Sequence, residues 1–213
     1  TGVQTCALPI LRKLKLIGII RLERHLVQIA TMLKKFSLFF HPAEIDLSFS
    51  PFALRLDNQT YQIMKASDEN IADLLGLEQE VYFGRTPWSR FSFKSELKKH
   101  ANSLYLVVYQ GSTLVGFVGM RMQAQEGHIT NIAVKPAFQR RGIGGFLLRT
   151  MIEIAQRNHA VQMTLEVRSD NYNAQSLYRK IGFRDNFIRK NYYSAEHADA
   201  VSMIKKIADR EQE

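Results

Sequence analysis

Seven residues, Gln139–Gly145 (QRRGIGG), separate an apolar run of strand character, HITNIAV, from an amphipathic run, FLLRTMIEIAQR. The change of period across the glycines predicts a strand, a tight loop and a helix in that order. Gly142 and Gly144 let the loop fold closely and turn successive N–H groups outward. The helix beyond begins with unpaired amides and a dipole that both favour an anion. Arg140 and Arg141 add formal positive charge. The loop is therefore a candidate pyrophosphate cradle, with tight packing alone as the ordinary alternative. A P-loop would need Lys and then Ser or Thr after the last glycine, where Phe146 stands, and GIGGFL lacks the third glycine of a dinucleotide fingerprint.

The rest of the chain from Tyr61 alternates in the same way. YQIMKA reads as a strand, and SDENIADLLGLEQEVYF as a helix that Ser67 or Asp68 can cap, with Ile71, Leu74, Leu75 and Glu78 on the helical period. TPWSRFSFKSELKKH gives a turn at Pro87 and a second helix. Ala101–Met120 carries no charge, yet YQGST at its middle makes it two buried strands joined by a hairpin rather than a membrane span. Helix follows the glycine loop from about Ile143 to Asn158, as the amphipathic period requires. VQMTLEVRS is a strand with Met163, Leu165 and Val167 on one face and Thr164, Glu166 and Arg168 on the other. A short helix, NAQSLYRKIG, ends at Gly182, and FRDNFIRKNYY and DAVSMIKKI close the fold as strands. The fold class is α/β (α+β), a mixed sheet flanked by helices.

The net charge is +9, which suits an anionic partner, and the single cysteine, Cys6, forms no internal disulfide and fits a reducing compartment, hence the cytoplasm. No signal peptide is legible. Thr1–Ile10 (TGVQTCALPI) resembles the conceptual translation of a sequencing adapter, and residues 1–31 are expected to be non-native, with Met32 as the natural start. The competing view is a basic amphipathic helix over 11–40, with Leu22, Leu26, Ile29 and Leu33 on one face. Residues 1–31 hold five Lys/Arg and one Glu, so the balance from Met32 is +5, and no cysteine remains. We expect residues 32–60 to form an N-terminal extension, 61–207 the main folded domain and 208–213 a tail.

The combination of Q-x-x-G-x-G after an IAV strand, a further strand, and then N-x-A…LY…GF resembles the GNAT N-acetyltransferase superfamily from about Tyr61 to Ile207. PWS, NIAV, LEVR, SLYRKIGF and RKNYY together resemble one branch of it. That branch is the bacterial ribosomal-protein alanine N-acetyltransferases of the RimI type, which act on the N-terminal alanine of the eighteenth small-subunit ribosomal protein. The resemblance implies the GNAT fold, a mixed twisted sheet, and acetyl-CoA as co-substrate. It assigns the pantetheine arm to Ile132, Ala133 and Val134, and the pyrophosphate to Arg140, Arg141, Gly142, Ile143, Gly144 and Gly145. Asn171 would touch the cofactor from the other side. Many relatives carry a basic or small residue after the second loop glycine, where Gly145 stands, and Phe before Pro-Trp, where Thr86 stands.

An N-terminal amine has a pKa near 8 and must lose a proton before it attacks a thioester. Glu166, on the polar face of its strand, can take that proton; a strand glutamate paired with Arg168 or Arg184 is the ordinary alternative. The resemblance makes Glu166 the general base and Tyr178, on the short helix, the general acid that helps thiolate leave. As a plain aromatic anchor Tyr178 would be equally familiar. The N–H of Val134 or a neighbour can stabilise the oxyanion. Trp88, Tyr192 and Tyr193 are candidate acceptor-pocket walls or ordinary core aromatics.

The six histidines show no metal-ligand spacing, so we expect no metal, and His128 reads as structural. The expected partner is a ribosomal-protein N-terminus, with no membrane and no stable nucleic-acid binding. A basic enzyme gains nothing from long-range attraction to a basic tail, so local acidic residues such as Glu126, Glu166 or Glu196 would have to compensate. Two further readings stay open: acetylation of lysine side chains or small amines, and a silent ribosome- or RNA-binding module on the same fold.

Overall fold

The computed structural model describes residues 45–207 apart from Asp57; the adapter-like stretch, residues 11–31 and Met32 lie outside the described residues. Eight strands form one sheet: β1 (Phe52–Leu56), β2 (Gln59–Lys65), β3 (Ser103–Gln110), β4 (Thr113–Gln123), β5 (Glu126–Val134), β6 (Gln162–Arg168), β7 (Arg184–Tyr193) and β8 (Ala198–Lys206). Their spatial order is β1-β2-β3-β4-β5-β6-β8-β7. Every neighbouring pair is antiparallel except β5 and β6, which are joined by a helical crossover and run parallel.

The helices are α1 (Ile71–Val81), α2 (Arg90–Leu97), α3 (Ile143–Arg157) and α4 (Tyr172–Ile181). Strand alternation sends Leu104, Leu106 and Val108 to one face with α3 and α4, and Tyr105 and Val107 to the other with α1 and α2. Helix α3 buries Ile143, Leu147, Leu148, Met151 and Ile154 against the first face. Each such side chain contributes about 2 kcal/mol of apolar burial. Ser67 makes a capping box with Asn70 ahead of α1, Ser89 accepts from Ser92 N at α2, and Gly182 ends α4 at φ 99°.

Residues 45–60, placed by the sequence in an extension, pack on the sheet. Strand β1 pairs with β2, Leu47 is buried, and Asp46 exchanges two hydrogen bonds with Asn158 at the end of α3.

Two irregularities in β5 open the site. Opposite Gly119 and Met120, Thr130 is an extra residue, a bulge that reverses the strand's facing. Ile129 therefore packs with α3, whereas Ala133 packs with α1 and α2. Gly119 is required here: a Cβ would lie 2.3 Å from the Tyr105 ring. The second irregularity is a fork. Strand β6 pairs with β5 only through Glu126–Ile129, so Thr130–Val134 are bonded to β4 alone.

Candidate active site

The fork leaves one edge of β5 open, and the chain's chemistry gathers around it. Lys135 N–H bonds back to Val115 O on β4 at 2.8 Å. Alternation along the strand therefore turns the N–H of Val134 and of Ile132 toward the open edge. The Gln139 side-chain amide donates to Val134 O at 2.9 Å and ties the loop to that edge.

After a single turn over Pro136–Phe138, Arg140 adopts φ 62° and Gly142 φ 89°, where glycine is the residue without a steric cost. Gly142 caps α3, whose first internal bond runs from Phe146 N to Gly142 O. The amides of Ile143, Gly144 and Gly145 thus have no helical acceptor. Gly144 and Gly145 lie inside the first helical turn, so of the three glycines only Gly142 shapes the turn. Arg140 and Arg141 are exposed; Arg141 donates to Ala137 O and lies over the Phe138 ring, while neither makes an ion pair among the described residues. Asn171 caps α4 with its own side chain, accepting from Ala174 N, so its oxygen is already engaged.

Across the fork, the Glu166 carboxylate is 8 % exposed. Its Oε2 lies 3.4 Å from His128 Nε2, and its Oε1 3.4 Å from Arg189 Nε. The sequence considered Arg168 and Arg184; the register puts Arg189 there instead, while Arg168 pairs with Asp170 and Glu196 and Arg184 is exposed on β7. Thr164 Oγ1 donates to Glu126 Oε1 at 2.7 Å and sits 2.8 Å from His128 Nδ1. With its proton spent on Glu126, the threonine must accept from Nδ1–H. Neutral His128 then presents the bare Nε2 to Glu166. Burial holds the imidazole pKa below its ordinary value, against the opposing pull of Glu166 and Glu126.

Tyr178 is 6 % exposed and packs edge-on to Phe183. Burial, with Tyr82 and Tyr193 nearby, raises its pKa well above the ordinary phenol value. Tyr192 and Tyr193 meet edge to face at 5.1 Å, with Arg189 over the first ring and Arg168 over the second. Trp88 packs its ring on Phe93 and Tyr105. Its backbone N–H donates to Glu78 Oε2 at 3.0 Å.

Four features of the candidate site were missed by sequence reasoning: Glu78, Tyr82, Arg189 and the placement of His128 beside Glu166. Glu78 had a signal, being a charge on the inward stripe of an apolar helix. Arg189 and His128 depend on register across strands and had none, and Tyr82, directly after α1, carried no signal of its own. The three acidic residues expected to attract a basic acceptor are all engaged: Glu126 by Gln162 and Thr164, Glu166 by His128 and Arg189, and Glu196 by Arg85 and Arg168.

A model of the acetyltransferase (GNAT) family matches residues 69–183. The chain is 37% identical over 118 residues to a putative [ribosomal protein bS18]-alanine N-acetyltransferase of Bacillus subtilis, covering 55% of this chain and 78% of that one. It is 37% identical over 137 residues to the N-alpha-acetyltransferase RimI of Mycobacterium tuberculosis, covering 62% and 84%. The crystal structure of the ribosomal-protein-S18-alanine N-acetyltransferase from Escherichia coli superposes with a TM-score of 0.62 at 27% identity, over 72% of this chain and 99% of that one.

Proposed function

The chain belongs to the GNAT acetyltransferase family, and on that footing we propose that it transfers the acetyl group of acetyl-CoA directly to a free N-terminal α-amine, that of the alanine beginning ribosomal protein bS18. The observation that carries this reading is the fork between β5 and β6, where an unpaired strand edge runs into unpaired helix amides beside a buried carboxylate. The acceptor's identity rests on the names of the relatives.

The residues present fit the cofactor. Ile132, Ala133 and Val134 would hold the pantetheine arm along the open edge. Arg140, Arg141 and the amides of Gly142, Ile143, Gly144 and Gly145 would hold the diphosphate, with Asn171 on the far side. Bound there, acetyl-CoA supplies an activated thioester acyl group. Val134 N–H, turned to the same edge, would donate to the acyl oxygen as it gains charge.

Glu166 removes a proton from the acceptor ammonium, directly or through water, and His128 shares the load. Tyr178 keeps its proton at any working pH, since a phenol raised above 10 is a weaker acid than a thiol near 8.5. It therefore helps the departing sulfur with a hydrogen bond rather than by full transfer. Residues 32–213 contain no cysteine, which favours direct transfer over an acetyl-enzyme. Trp88, Tyr192 and Tyr193 line the acceptor's approach.

The test is incubation with acetyl-CoA and three acceptors: a peptide beginning with the bS18 alanine, the same peptide N-blocked and carrying lysine, and spermidine. Modification of the free alanine alone is the expected result. Preference for lysine or spermidine would overturn the acceptor, and silence on all three would overturn the activity.

A further inference from the structure

Glu78 is 1 % exposed on the inward face of α1, among Ile71, Leu74 and Leu77. A leucine would suit that stripe better, because burying a carboxylate is costly unless its oxygens are satisfied. No lysine, arginine or histidine of the described residues forms an ion pair with it. Its one well-formed hydrogen bond comes from the backbone N–H of Trp88, ten residues on, in the loop between α1 and α2.

On its other side stands Asn131, the first residue of β5 past the bulge, adjoining the proposed cofactor edge. The Asn131 side chain eases ionisation of Glu78, although its buried Nδ2 makes no hydrogen bond of good geometry. The carboxylate thus touches the acceptor wall with one oxygen and stands against the cofactor strand. The Trp88 ring packs on Phe93 and Tyr105, and Glu78 holds the main chain that carries the ring there.

We propose that Glu78 is a positioning residue, clamping the Trp88 main chain beside Asn131 so that the acceptor amine is held in line with the cofactor strand. The proposal rests on the acetyltransferase reading above. It makes Glu78 a determinant of acceptor affinity and leaves affinity for acetyl-CoA untouched. The clamp is also sensitive to protonation, since a neutral carboxyl holds an N–H less strongly than a carboxylate does. Burial raises the Glu78 pKa to about 7, against the Trp88 N–H and Asn131. The groups facing it are Tyr82 from its own helix, Tyr105 from β3 and Asn131 from β5; beyond Tyr105 lie Glu96 and Arg121.

Trp88 is the single tryptophan of the chain, so its fluorescence reports on the clamp without any turnover. Acrylamide quenching of the intact protein is followed from pH 5 to 9 for wild type, Glu78→Gln and Glu78→Leu. Wild type should become more quenchable as pH falls through about 7. Glu78→Gln, which still offers an oxygen, should show no such transition, and Glu78→Leu should be readily quenched throughout. With the alanine peptide, Glu78→Leu should raise the acceptor KM about tenfold, and Glu78→Gln about threefold or less. Coenzyme A affinity by calorimetry should stay within about twofold in both, as expected for a site that shares no contact with the loop. Equal quenching in all three proteins, or coenzyme A affinity falling with acceptor affinity, would overturn the clamp. Wild type that acetylates no amine would sink the activity, while the quenching series still decides whether Glu78 holds the loop.

Discussion

His128 Nε2 lies 3.4 Å from Glu166 Oε2, and Thr164 leaves that nitrogen bare by accepting from Nδ1–H. A carboxylate and an imidazole so placed can act as one acid–base unit, which under the proposed function would give a proton removed from the acceptor two resting positions. The pair is assembled by the parallel register of β5 on β6, which sets His128 opposite Thr164, two residues before Glu166.

Glu166→Gln should lower kcat by about 10²–10⁴, the range for loss of a general base. Coenzyme A binding should be unchanged, because the open edge of β5 and the start of α3 are untouched. Steady-state kinetics beside calorimetry separate the two quantities, and an unchanged kcat would remove Glu166 from catalysis.

His128 has a folded-state pKa below its ordinary value, so the folded protein binds fewer protons there than the unfolded chain. Its contribution to stability is present above about pH 6.5 and is lost as pH falls through the lower folded value. His128→Gln should accordingly flatten the decline of Tm on the acid side, and it should lower kcat less than Glu166→Gln does. Thermal melts at pH 5, 6 and 7 give the first of these directly.

Tyr178→Phe removes the hydroxyl and keeps the ring against Phe183. We expect kcat to fall by about 10²-fold, as when one donor to developing charge is lost. The melting temperature should hardly move. A large drop in Tm would mean that the hydroxyl is structural.

Gly142→Ala forces a Cβ onto a residue at φ 89°, in open space but in the left-handed region. The cost is about 1 kcal/mol of backbone strain. Because relief of that strain would turn the α3 amides, weaker coenzyme A binding should accompany it, measurable by calorimetry on a protein that is still folded.

Glu78 has the opposite sign to His128. Its folded pKa is raised to about 7, so the stability that its protonated form confers is present below the ordinary value and is lost as pH rises through 7. Glu78→Gln should raise Tm at pH 8 by about a few degrees and by less at pH 5. That gain in stability alongside a weaker acceptor loop is the trade expected of a buried functional carboxylate.

Much of the architecture is written locally. The strand, glycine loop and helix around Gln139–Gly145, the caps at Ser67 and Gly182, and the alternation that puts Glu166 on the polar face of β6 all follow from neighbours within one element. Such features are short-range because dihedral preference, capping and burial period act over a few residues.

What stands opposite Glu166 is a different matter. Arg189 reaches it through two antiparallel pairings, β6 with β8 and β8 with β7, and His128 through one parallel pairing. A shift of one residue in any of these would turn the partner to the other face. The Thr130 bulge and the fork beyond Ile129 likewise exist only when β4, β5 and β6 are assembled. The sequence by itself determined the elements, their caps and the glycine turn; tertiary structure alone decided which side chains face Glu166 and which edge stays open, because strand register is set by packing across the whole sheet.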